Sequence, residues 1–543
     1  MIKNTILASG FVLASISAYN QDFDWGISLG GVSTELPNAI VSDPSNDCIY
    51  VTGFFFNEID MNPGPDLIEF GSAGASDIFL VKFDTEGNYI WANQLGGADF
   101  DDGVDLAVDQ SGNVLLLIDD DKLGVNKYDS DGTLLWSYET EGMGSPAGKA
   151  MVLDSDDNVY ITGNFLDTVD FNADVAEEEV LIADVFSDGF ILKLTEDGSF
   201  DWVQQIIGDQ DVSPSGIDLS DDGDIYLTGY FNGTVDLNPG SETASYTAAS
   251  LTDVYVLRLN SSGDFEWASV MAGASSTQTE GIAVDTEGNS YITGHFNGEI
   301  DFDPSEDEEL MTPFGEDDIF VQKLDVDGNL VWVHQFGGVS FDLPKDLILD
   351  ENENILVTGN FTGIADFDPT EEEYLLYVDD ELSSTSFVFK ITSDGLLKWA
   401  VNFESNSGGF NTGASLDVDD ENNIYITGGY WWNIDMDPGI SEAVVNAADL
   451  YDIYLVKLNL NTSGLEVHES VTMNLYPNPS RGEFYLDVPE GSNVQILSID
   501  GKLIKEFKSE IGKKYDFSGV NRGQYFVKVQ SGSQVETLKL VVN

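Results

Sequence analysis

The sequence predicts an all-β fold, a seven-bladed β-propeller followed by a small C-terminal β-sandwich, and three observations lead to this prediction. Short β-branched and aromatic runs, bounded by Asp, Asn and Gly turns, recur through most of the chain. The same order of four runs returns about seven times between Trp25 and Leu458. No amphipathic helix of useful length interrupts these repeats. Four-stranded units repeated in this way are typical of a propeller.

Six of the seven repeats contain the same parts in the same order. A first run leads through a tight turn to a glycine-ended run such as YITGHF (291–296), which opens a long acidic loop. A third run such as DIFVQKLD (318–325) leads through a VDGN hairpin turn, which needs a residue with positive φ, to a strand with a tryptophan.

Seven tryptophans mark the register of the repeat. They are separated by 66, 45, 66, 65, 65 and 67 residues, and the short step belongs to the second unit, which lacks the acidic loop. A large apolar side chain at one strand position is expected to pack each blade on the next, and this interpretation is favoured over a ligand-binding ladder. The tryptophans are Trp25, Trp91, Trp136, Trp202, Trp267, Trp332 and Trp399.

The limits of the repeat region predict how the ring closes. The region opens with a tryptophan strand, DWGISLG (24–30), and ends with a third-strand run, YDIYLVKLN (451–459). We therefore expect the N-terminal strand to complete the last blade, which removes exposed sheet edges. The predicted organisation is a propeller over 22–460, a linker over 461–473 and a C-terminal domain over 474–543.

The charge of the chain limits its partners. Of 543 residues, 98 are acidic and 21 are basic, which gives a formal net charge of -77. The tail from 468 to 543 holds nine residues of each sign, so the repeat region carries the whole excess. Such a chain repels nucleic acid and anionic membranes, and neither is expected as a partner.

The N-terminus predicts export. Lys3 precedes the apolar run 6–18, which ends in small residues, and this pattern is typical of a secretory signal peptide over residues 1–18. The alternative is a buried first strand. The run is too short to span a membrane, and no later segment is long enough. Cys48 is the only cysteine, so no intramolecular disulfide is expected.

The tail resembles the C-terminal sorting domain of type IX secretion, known from Bacteroidetes. The resemblance runs from LYPNP (475–479) through IDGKL (499–503) and GQYFVKV (523–529) to KLVV (539–542). It implies recognition by the type IX secretion machinery, passage through the outer membrane, and a product that is secreted or held on the outer cell surface. The motif residues are Tyr476, Pro477, Asn478, Pro479, Gly482, Gly501, Gly523 and Tyr525.

The repeats resemble the bacterial β-propeller repeat family often called SBBP, which commonly carries such a tail. The shared signature is TG-x-F, then (V/I)DF(D/N)P, then D-(I/V)-(F/Y)-V-x-K-L, then DG-x-x-x-W, and it covers most of residues 24–459. The resemblance implies a propeller and adds no common activity.

The acidic loops are the first candidate site. Carboxylate and amide oxygens two residues apart in a turn suit a hard cation such as Ca²⁺. The alternative is that these side chains cap the backbone of their own turn. The candidate ligands are Asp60, Asn62, Asp170, Asn172, Asp236, Asn238, Asp301, Asp303, Asp366, Asp368, Asp435 and Asp437.

A tryptophan pair is the second candidate site. Trp431 and Trp432 stand where other blades have a polar turn such as Asn297-Gly298, and Phe56 has the equivalent place in the neighbouring blade of a closed ring. Exposed aromatics at the mouth of a long loop predict a stacking surface for sugar rings. The alternative is that the rings fold under their own loop or against the tail.

Histidine is the third candidate. When the repeats are aligned with one another, His295 lies at a variable position near the end of the second strand, where the fourth blade has Tyr230. Both side chains could line a pocket on the long-loop face. No HExxH, GxSxG or phosphate-binding motif is present. Paired carboxylates carry little weight among 89 acidic residues outside the tail.

The sequence favours a non-catalytic binding protein whose ligand is a polysaccharide or a surface protein. One alternative is an extracellular polysaccharide lyase or hydrolase with carboxylates in the central funnel. A second alternative is a structural spacer or adhesin without a small ligand. Unique polar residues at the ring centre would indicate an enzyme, whereas exposure of Trp431, Trp432 and Phe56 would indicate a binder.

Overall fold

The structure is a computed structural model that divides the chain into two compact units, Met1–Asn461 and Thr462–Asn543. It describes residues 21–172, 178–273, 275–305, 307–370, 372–378, 383–405, 409–439, 441–460, 474–476, 483–487, 492–498, 502–509, 513–517, 520, 522–531 and 534–542.

Seven four-stranded antiparallel meanders follow one another along the first unit. Their strands are short and rich in β-branched and aromatic residues, and the 3₁₀ turn Pro44–Asn46 lies between the first two strands of blade 1. The strands of each blade are given in order from the first to the fourth. Blade 1 contains Glu35–Asp43, Cys48–Asp60, Glu69–Asp84 and Tyr89–Leu95; blade 2 contains Asp102–Val108, Val114–Asp119, Leu123–Tyr128 and Leu134–Glu139; blade 3 contains Ser145–Leu153, Val159–Asp170, Val180–Leu194 and Phe200–Gly208; and blade 4 contains Val212–Leu219, Ile225–Phe231, Asp253–Leu259 and Phe265–Gly273. Blade 5 contains Thr277–Val284, Ser290–Phe296, Asp318–Leu324 and Leu330–Gly338; blade 6 contains Asp342–Leu349, Ile355–Thr362, Ser384–Ile391 and Leu397–Phe403; and blade 7 contains Phe410–Val418, Ile424–Asp435, Val444–Leu460 and Gln21–Gly31.

The first strands form a closed ring around a central channel. Each first strand contacts the first strand of the next blade, and that of blade 7 contacts that of blade 1. A half-buried carboxylate joins this last pair, because the backbone N–H of Ser42 donates to Asp417 Oδ2 at 2.6 Å. The N-terminal strand completes blade 7 by pairing Gln21 with Leu460 through to Leu29 with Ile453. The predicted all-β propeller fold is confirmed, and the strand pairs place the N-terminal strand in the last four-stranded unit.

The fourth-strand tryptophan and a third-strand cation bind one carbonyl of the next blade, an arrangement named here the interblade latch. Trp91 Nε1 and Lys82 Nζ both donate to the carbonyl oxygen of Ser130, each at 3.0 Å. The tryptophan column therefore packs blade on blade, as predicted, and adds a directed hydrogen bond. The same two-donor arrangement joins Trp25 and Lys457 to Thr85, Trp136 and Lys127 to Glu196, and Trp267 and Arg258 to Val326.

The carbonyl group that accepts the hydrogen bonds of the interblade latch belongs to the hairpin turn between the third and fourth strands of the next blade. Gly132 has φ 81°, and a Cβ added there would lie 3.0 Å from the ring of Trp91. The glycine is therefore required both by the left-handed backbone and by the tryptophan of the preceding blade. His334 has a related structural place, since its ring stacks on Trp332 with centroids 4.8 Å apart.

In every blade except blade 2, the long acidic loop between the second and third strands reaches back to the preceding blade. The hairpin that this loop forms is called the loop hairpin. Gly337 and Gly338, at the end of the fourth strand of blade 5, pair with Asp366 and Ala365 in the loop hairpin of blade 6. Equivalent pairs or hydrogen bonds join blades 7 and 1, 2 and 3, 3 and 4, 4 and 5, and 6 and 7. The additional short strands are Glu141–Gly142, Thr234–Asp236, Ser245–Thr247, Ile300–Asp301, Leu310–Met311, Ile364–Asp366 and Leu375–Tyr377.

The second unit contains a three-stranded and a four-stranded antiparallel sheet. Apolar side chains from both sheets share one core, an arrangement typical of a small β-sandwich. The strands are Asn474–Tyr476, Glu483–Asp487 and Lys514–Asp516 in the first sheet, and Leu503–Lys508, Asn493–Ser498, Gly523–Ser531 and Gln534–Val542 in the second. The core residues are Phe484, Leu486, Val494, Ile496, Tyr515, Phe517, Tyr525, Val527, Val529, Leu540 and Val542.

Several sequence predictions lie outside the described residues, namely the signal peptide over 1–18, the linker over 461–473, and Pro477, Asn478, Pro479, Gly482 and Gly501 of the sorting motif. Gly523 opens a strand of the sandwich, and Tyr476 ends one. Within the described parts of the chain, no helix has the length and apolar character needed to cross a membrane.

Candidate functional site

The two candidate tryptophans lie at a β-bulge between the second and third strands of blade 7. Trp431 pairs with Tyr451 and Asn433 with Asn446, so Trp432 is the extra residue of the bulge. Its backbone is left-handed, with φ 83°, and its side chain is 60% exposed. The bulge therefore turns one large aromatic ring out to solvent on the long-loop face.

Aromatic neighbours hold Trp431 in place beside its exposed partner. The ring of Trp431 stacks on Phe410 with centroids 5.7 Å apart and an angle of 25°. Tyr451 lies 6.5 Å from it, and Trp432 meets it edge-on at 6.3 Å. These four residues, Phe410, Trp431, Trp432 and Tyr451, are named the tryptophan platform. Phe410 and Tyr451 both contact Trp431, which gives the exposed ring of Trp432 a rigid base.

Phe56 belongs to a second aromatic group in blade 1. Its ring meets Phe54 at 5.8 Å and Phe100 at 6.2 Å, both edge-on. Among the described residues, the structure records no ring contact between Phe56 and either tryptophan. Thr34 lies between the two groups, since it bridges to Tyr451 and its carbonyl accepts from the N–H of Phe56. The single patch proposed from the sequence is therefore two aromatic groups on adjacent blades.

A polar cluster occupies the central channel. All seven first strands have a one-residue bulge at the same position, and the bulge residues include Lys149, Glu280 and Lys345. Lys345 Nζ lies 3.5 Å from Glu280 Oε1, and His295 Nδ1 lies 3.8 Å from the same oxygen. His295 thus lies beside Glu280 of the first strand of its own blade, and its contribution to a pocket on the long-loop face stays a prediction. Its charged neighbours are Glu280 and Lys345, which were not among the candidate residues predicted from the sequence.

Electrostatic interactions couple charged side chains of blades 2, 3, 5 and 6. Burial raises the pKa of Glu280, while Lys345 and then Lys149 of blade 3 oppose the rise. Burial, and then the charge of Asp119, raise the pKa of Asp102 to about 7, and Lys149 opposes this shift as well. The charge of Lys149 therefore acts on one carboxyl group of blade 2 and on one of blade 5.

The histidine is uncharged at neutral pH. Burial, and then the charge of Lys345, lower the pKa of His295 to about 4. Its Nδ1 is buried without a hydrogen-bond partner among the described residues. Tyr230, from the same column in blade 4, instead packs against the apolar core between blades 4 and 5.

The channel residues could have been found by aligning the blades with one another. Asp119 occupies in blade 2 the column that contains His295 in blade 5, because Asp102 pairs with Asp119 as Gln278 pairs with His295. Lys149 and Lys345 were also visible as lysines outside the latch column. Of the eleven Lys and Arg residues between 21 and 460, seven belong to that column: Lys82, Lys127, Lys193, Arg258, Lys323, Lys390 and Lys457.

The first aspartate of each acidic loop closes the loop with one oxygen. Asp236 Oδ1 accepts from the backbone N–H of Asn238 at 3.1 Å and from that of Ala244 at 2.8 Å. This is the capping geometry that a short acidic side chain gives to its own turn. The same two bonds are made by Asp60, Asp170, Asp301, Asp366 and Asp435.

The second loop residue caps the next turn. Asn238 Oδ1 accepts from the N–H of Gly240 at 2.8 Å, and the same bond is made by Asn62, Asp303, Asp368 and Asp437. Asn172 donates its backbone N–H to Asp170. In the described parts of the chain, no group of three or more His, Cys, Asp or Glu side chains is arranged to hold a metal ion. Turn capping explains these residues, and calcium binding stays a prediction.

Two parts of the chain match family models. Residues 474–543 match the secretion system C-terminal sorting domain, and residues 267–300 match the β-propeller repeat SBBP. Both resemblances drawn from the sequence are confirmed. The sorting domain indicates export by the type IX machinery, to the cell surface or into the medium.

A curated relative matches part of the chain. An uncharacterized WD repeat-containing protein of Acanthamoeba polyphaga mimivirus is 27% identical over 186 residues, which cover 30% of this chain and 13% of that protein.

Solved structures show similarity at low identity. The Dos1 propeller is 9% identical with a TM-score of 0.40, over 81% of this chain and 96% of that one. A gluconolactonase of Xanthomonas campestris is 14% identical with a TM-score of 0.27, over 61% and 93%. PorZ, a surface component of the type IX secretion system of Porphyromonas gingivalis, is 11% identical with a TM-score of 0.16, over 95% and 100%. The chain is a β-propeller protein with an SBBP repeat and a type IX secretion C-terminal sorting domain.

Proposed function

We propose that the exported propeller is a non-catalytic binding protein that holds a neutral polysaccharide on the tryptophan platform. The observation that carries this proposal is the exposed ring of Trp432, raised from the long-loop face by a left-handed bulge. Sugar rings stack their apolar faces on such aromatics. An exposed aromatic group on a rigid base is the usual mark of a binding surface.

The backbone at Trp432 supports a functional reason for this residue. In blade 1 the same bulge position holds Asn57, with φ 60°, and asparagine tolerates that conformation well. The other non-glycine residues with positive φ among the described ones are Asp, Asn or Glu. A tryptophan in this left-handed conformation destabilises the folded chain by about 1 kcal/mol. Strain retained at one exposed aromatic is typical of a site kept for binding.

The charge of the propeller selects among polysaccharides. Asp449 and Asp452 lie close to Tyr451 in sequence, and the chain as a whole has a formal net charge of -77. A polymer rich in carboxylate or sulfate would be repelled from such a surface. A neutral glycan meets no such barrier, so neutral polymers form the expected ligand class.

The test is a binding screen of the full chain with neutral glucans, starch and xylan, and with alginate as an anionic comparison. Trp432→Asn removes the exposed ring and relaxes the backbone. Phe341→Ala removes another half-exposed ring, located between blades 5 and 6 on the same face, and serves as the matched control. Saturable binding of a neutral polymer that only Trp432→Asn loses supports the proposal. Binding that survives Trp432→Asn, or no binding across the panel, rejects it.

A second candidate function rests on the channel cluster. Glu280, His295, Lys345 and the raised-pKa carboxyl of Asp102 are polar residues that converge at the ring centre. A carboxyl with a pKa near 7 is suited to proton transfer, which favours a hydrolase or lyase as the rival. Release of reducing ends from the same polymers, abolished by Asp102→Asn but not by Trp432→Asn, would establish that rival function.

A further inference from the structure

The junction between blades 1 and 2 differs from the other six. At those junctions the loop hairpin, or its equivalent in blade 7, reaches the end of the preceding fourth strand. Blade 2 has no such loop, because Val114–Asp119 and Leu123–Tyr128 are joined by a short turn. Leu95 pairs with Ile78 of the third strand, whereas Gly96 and Gly97, which follow it, pair with no strand of blade 2 among the described residues.

Blade 5 shows what this strand end looks like when it is occupied. Gly96 has φ 143° and its counterpart Gly337 has φ 142°. The N–H of Gly97 donates to Asp101 Oδ2 at 2.6 Å, and that of Gly338 donates to Asp342 Oδ2 at the same distance. The two strand ends have the same local geometry. Only the one in blade 5 carries a neighbouring strand among the described residues.

The space around the glycine at this position shows whether a strand lies against it. A Cβ built on Gly338 would lie 1.8 Å from the carbonyl oxygen of Ile364 in the loop hairpin. A Cβ built on Gly97 would meet no atom within 4 Å. The chain thus has, at the junction of blades 1 and 2, the close-approach glycine that a docked strand requires, with open space in front of it.

An acidic cleft of about 360 Å³ opens beside this edge. Burial, and then the carboxylate of Asp77, raise the pKa of Asp101, and burial together with the charge of Asp101 raises that of Asp120. Lys122 Nζ, 3.5 Å from Glu139, offsets part of the charge. Phe100, 71% exposed, stands at the neighbouring linker. The acidic residues of the cleft are Asp99, Asp101, Asp120, Asp121 and Glu139.

We propose that this junction cleft binds an extended, positively charged polypeptide segment of a partner protein, which adds a strand to the open edge at Gly96 and Gly97. The segment takes the place that a loop hairpin fills at the other junctions. Strand addition at an open sheet edge is an established mode of peptide recognition, in which the backbone supplies affinity and the side chains supply specificity. Five carboxylates select a basic segment and disfavour a second copy of this acidic chain.

The experiment uses the full chain and a synthetic peptide of alternating lysine and threonine, with a glutamate-threonine peptide as the charge control, at low ionic strength. Gly97→Val places a branched side chain in the open edge, where it meets no atom of the protein, so the melting temperature should be unchanged. The affinity for the lysine peptide should fall by at least about tenfold. Gly71→Val is the matched control, because that glycine is also in blade 1 and also has open surroundings.

Two further measurements separate strand addition from simple charge attraction. Hydrogen exchange at the amides of residues 95–98 should slow when the lysine peptide is bound. Asp120→Asn/Asp121→Asn should weaken binding and reduce its salt dependence. The proposal is overturned if the lysine peptide does not bind, if the glutamate peptide binds equally well, or if Gly97→Val binds as the unchanged protein does. Loss of binding in Gly97→Val with retention in Gly71→Val supports it.

Discussion

Glu35 should make the propeller less stable as the pH rises, and Glu35→Gln should remove this effect. Glu35 is completely buried at the start of the first strand of blade 1, and neither carboxyl oxygen has a hydrogen-bond partner of good geometry among the described residues. Burial, and then the charge of Asp452, raise its pKa to about 8. The nearby N–H groups of Ser33 and Gly31 only partly oppose this shift.

The sign and size of the effect follow from this pKa. In the unfolded chain the carboxyl ionises near pH 4.5, whereas in the folded chain it ionises near pH 8. Stability from this group is therefore fully present below pH 4.5 and is lost as the pH rises to about 8. The ceiling is about 5 kcal/mol at pH 9, and we expect roughly 2 kcal/mol, because water entry and relaxation lower the cost of the buried charge.

The assay is urea unfolding at pH 5 and pH 9 for the unchanged chain, for Glu35→Gln, and for Glu58→Gln, an exposed control in the same blade. The free energy of unfolding should fall between the two pH values by roughly 2 kcal/mol less in Glu35→Gln than in the unchanged chain. Glu58→Gln should keep the original difference. If Glu35→Gln retained the full pH dependence, the assignment of a buried, protonated Glu35 would be wrong.

Three other predictions concern the latch, the platform and the loops. Trp91→Phe removes the N–H bond to Ser130 while Lys82 keeps its own, and should lower the free energy of unfolding by about 2 kcal/mol in urea titration; a loss below about 0.5 kcal/mol would contradict a latch. Trp432→Asn should raise the melting temperature slightly, since it relieves the left-handed backbone, and a lower melting temperature would argue against strain. Chelation of calcium should leave the melting temperature within about 1 °C, because the loop carboxylates already accept backbone N–H groups; a large fall would revive the calcium hypothesis.

Local patterns predicted most of the fold because each blade repeats the same local rules. The alternation of apolar runs, the D-G turns and the spacing of the tryptophans gave the strands, the blade number and the closure by residues 21–31. The role of Asp236 as a turn cap could also be predicted from the sequence, since an Asx turn depends only on residues close in sequence.

Contacts between blades were harder to predict, because they depend on ring closure. Lys149 and Glu280 are 131 positions apart and approach one another only across the channel. Phe56 was expected to join the tryptophans, but its ring turns to Phe54 and Phe100. The short second repeat showed that blade 2 lacks the acidic loop. That this leaves an open edge at Gly97 became clear only from the structure, which shows where the loop hairpins of the other blades lie.

The pairing of the N-terminal strand with blade 7 has a consequence for the time course of folding. Gln21 pairs with Leu460, and Lys457 donates to Thr85, so the contacts that complete the molecule join its two distant ends. Individual meanders can form as soon as their own residues are available, since their contacts are local. The ring itself cannot be completed until the last repeat has been made. A protease that removed the first ten residues of the propeller would therefore leave blade 7 without its outer strand and remove the strand pairs between blades 7 and 1, while the contact between their first strands remained.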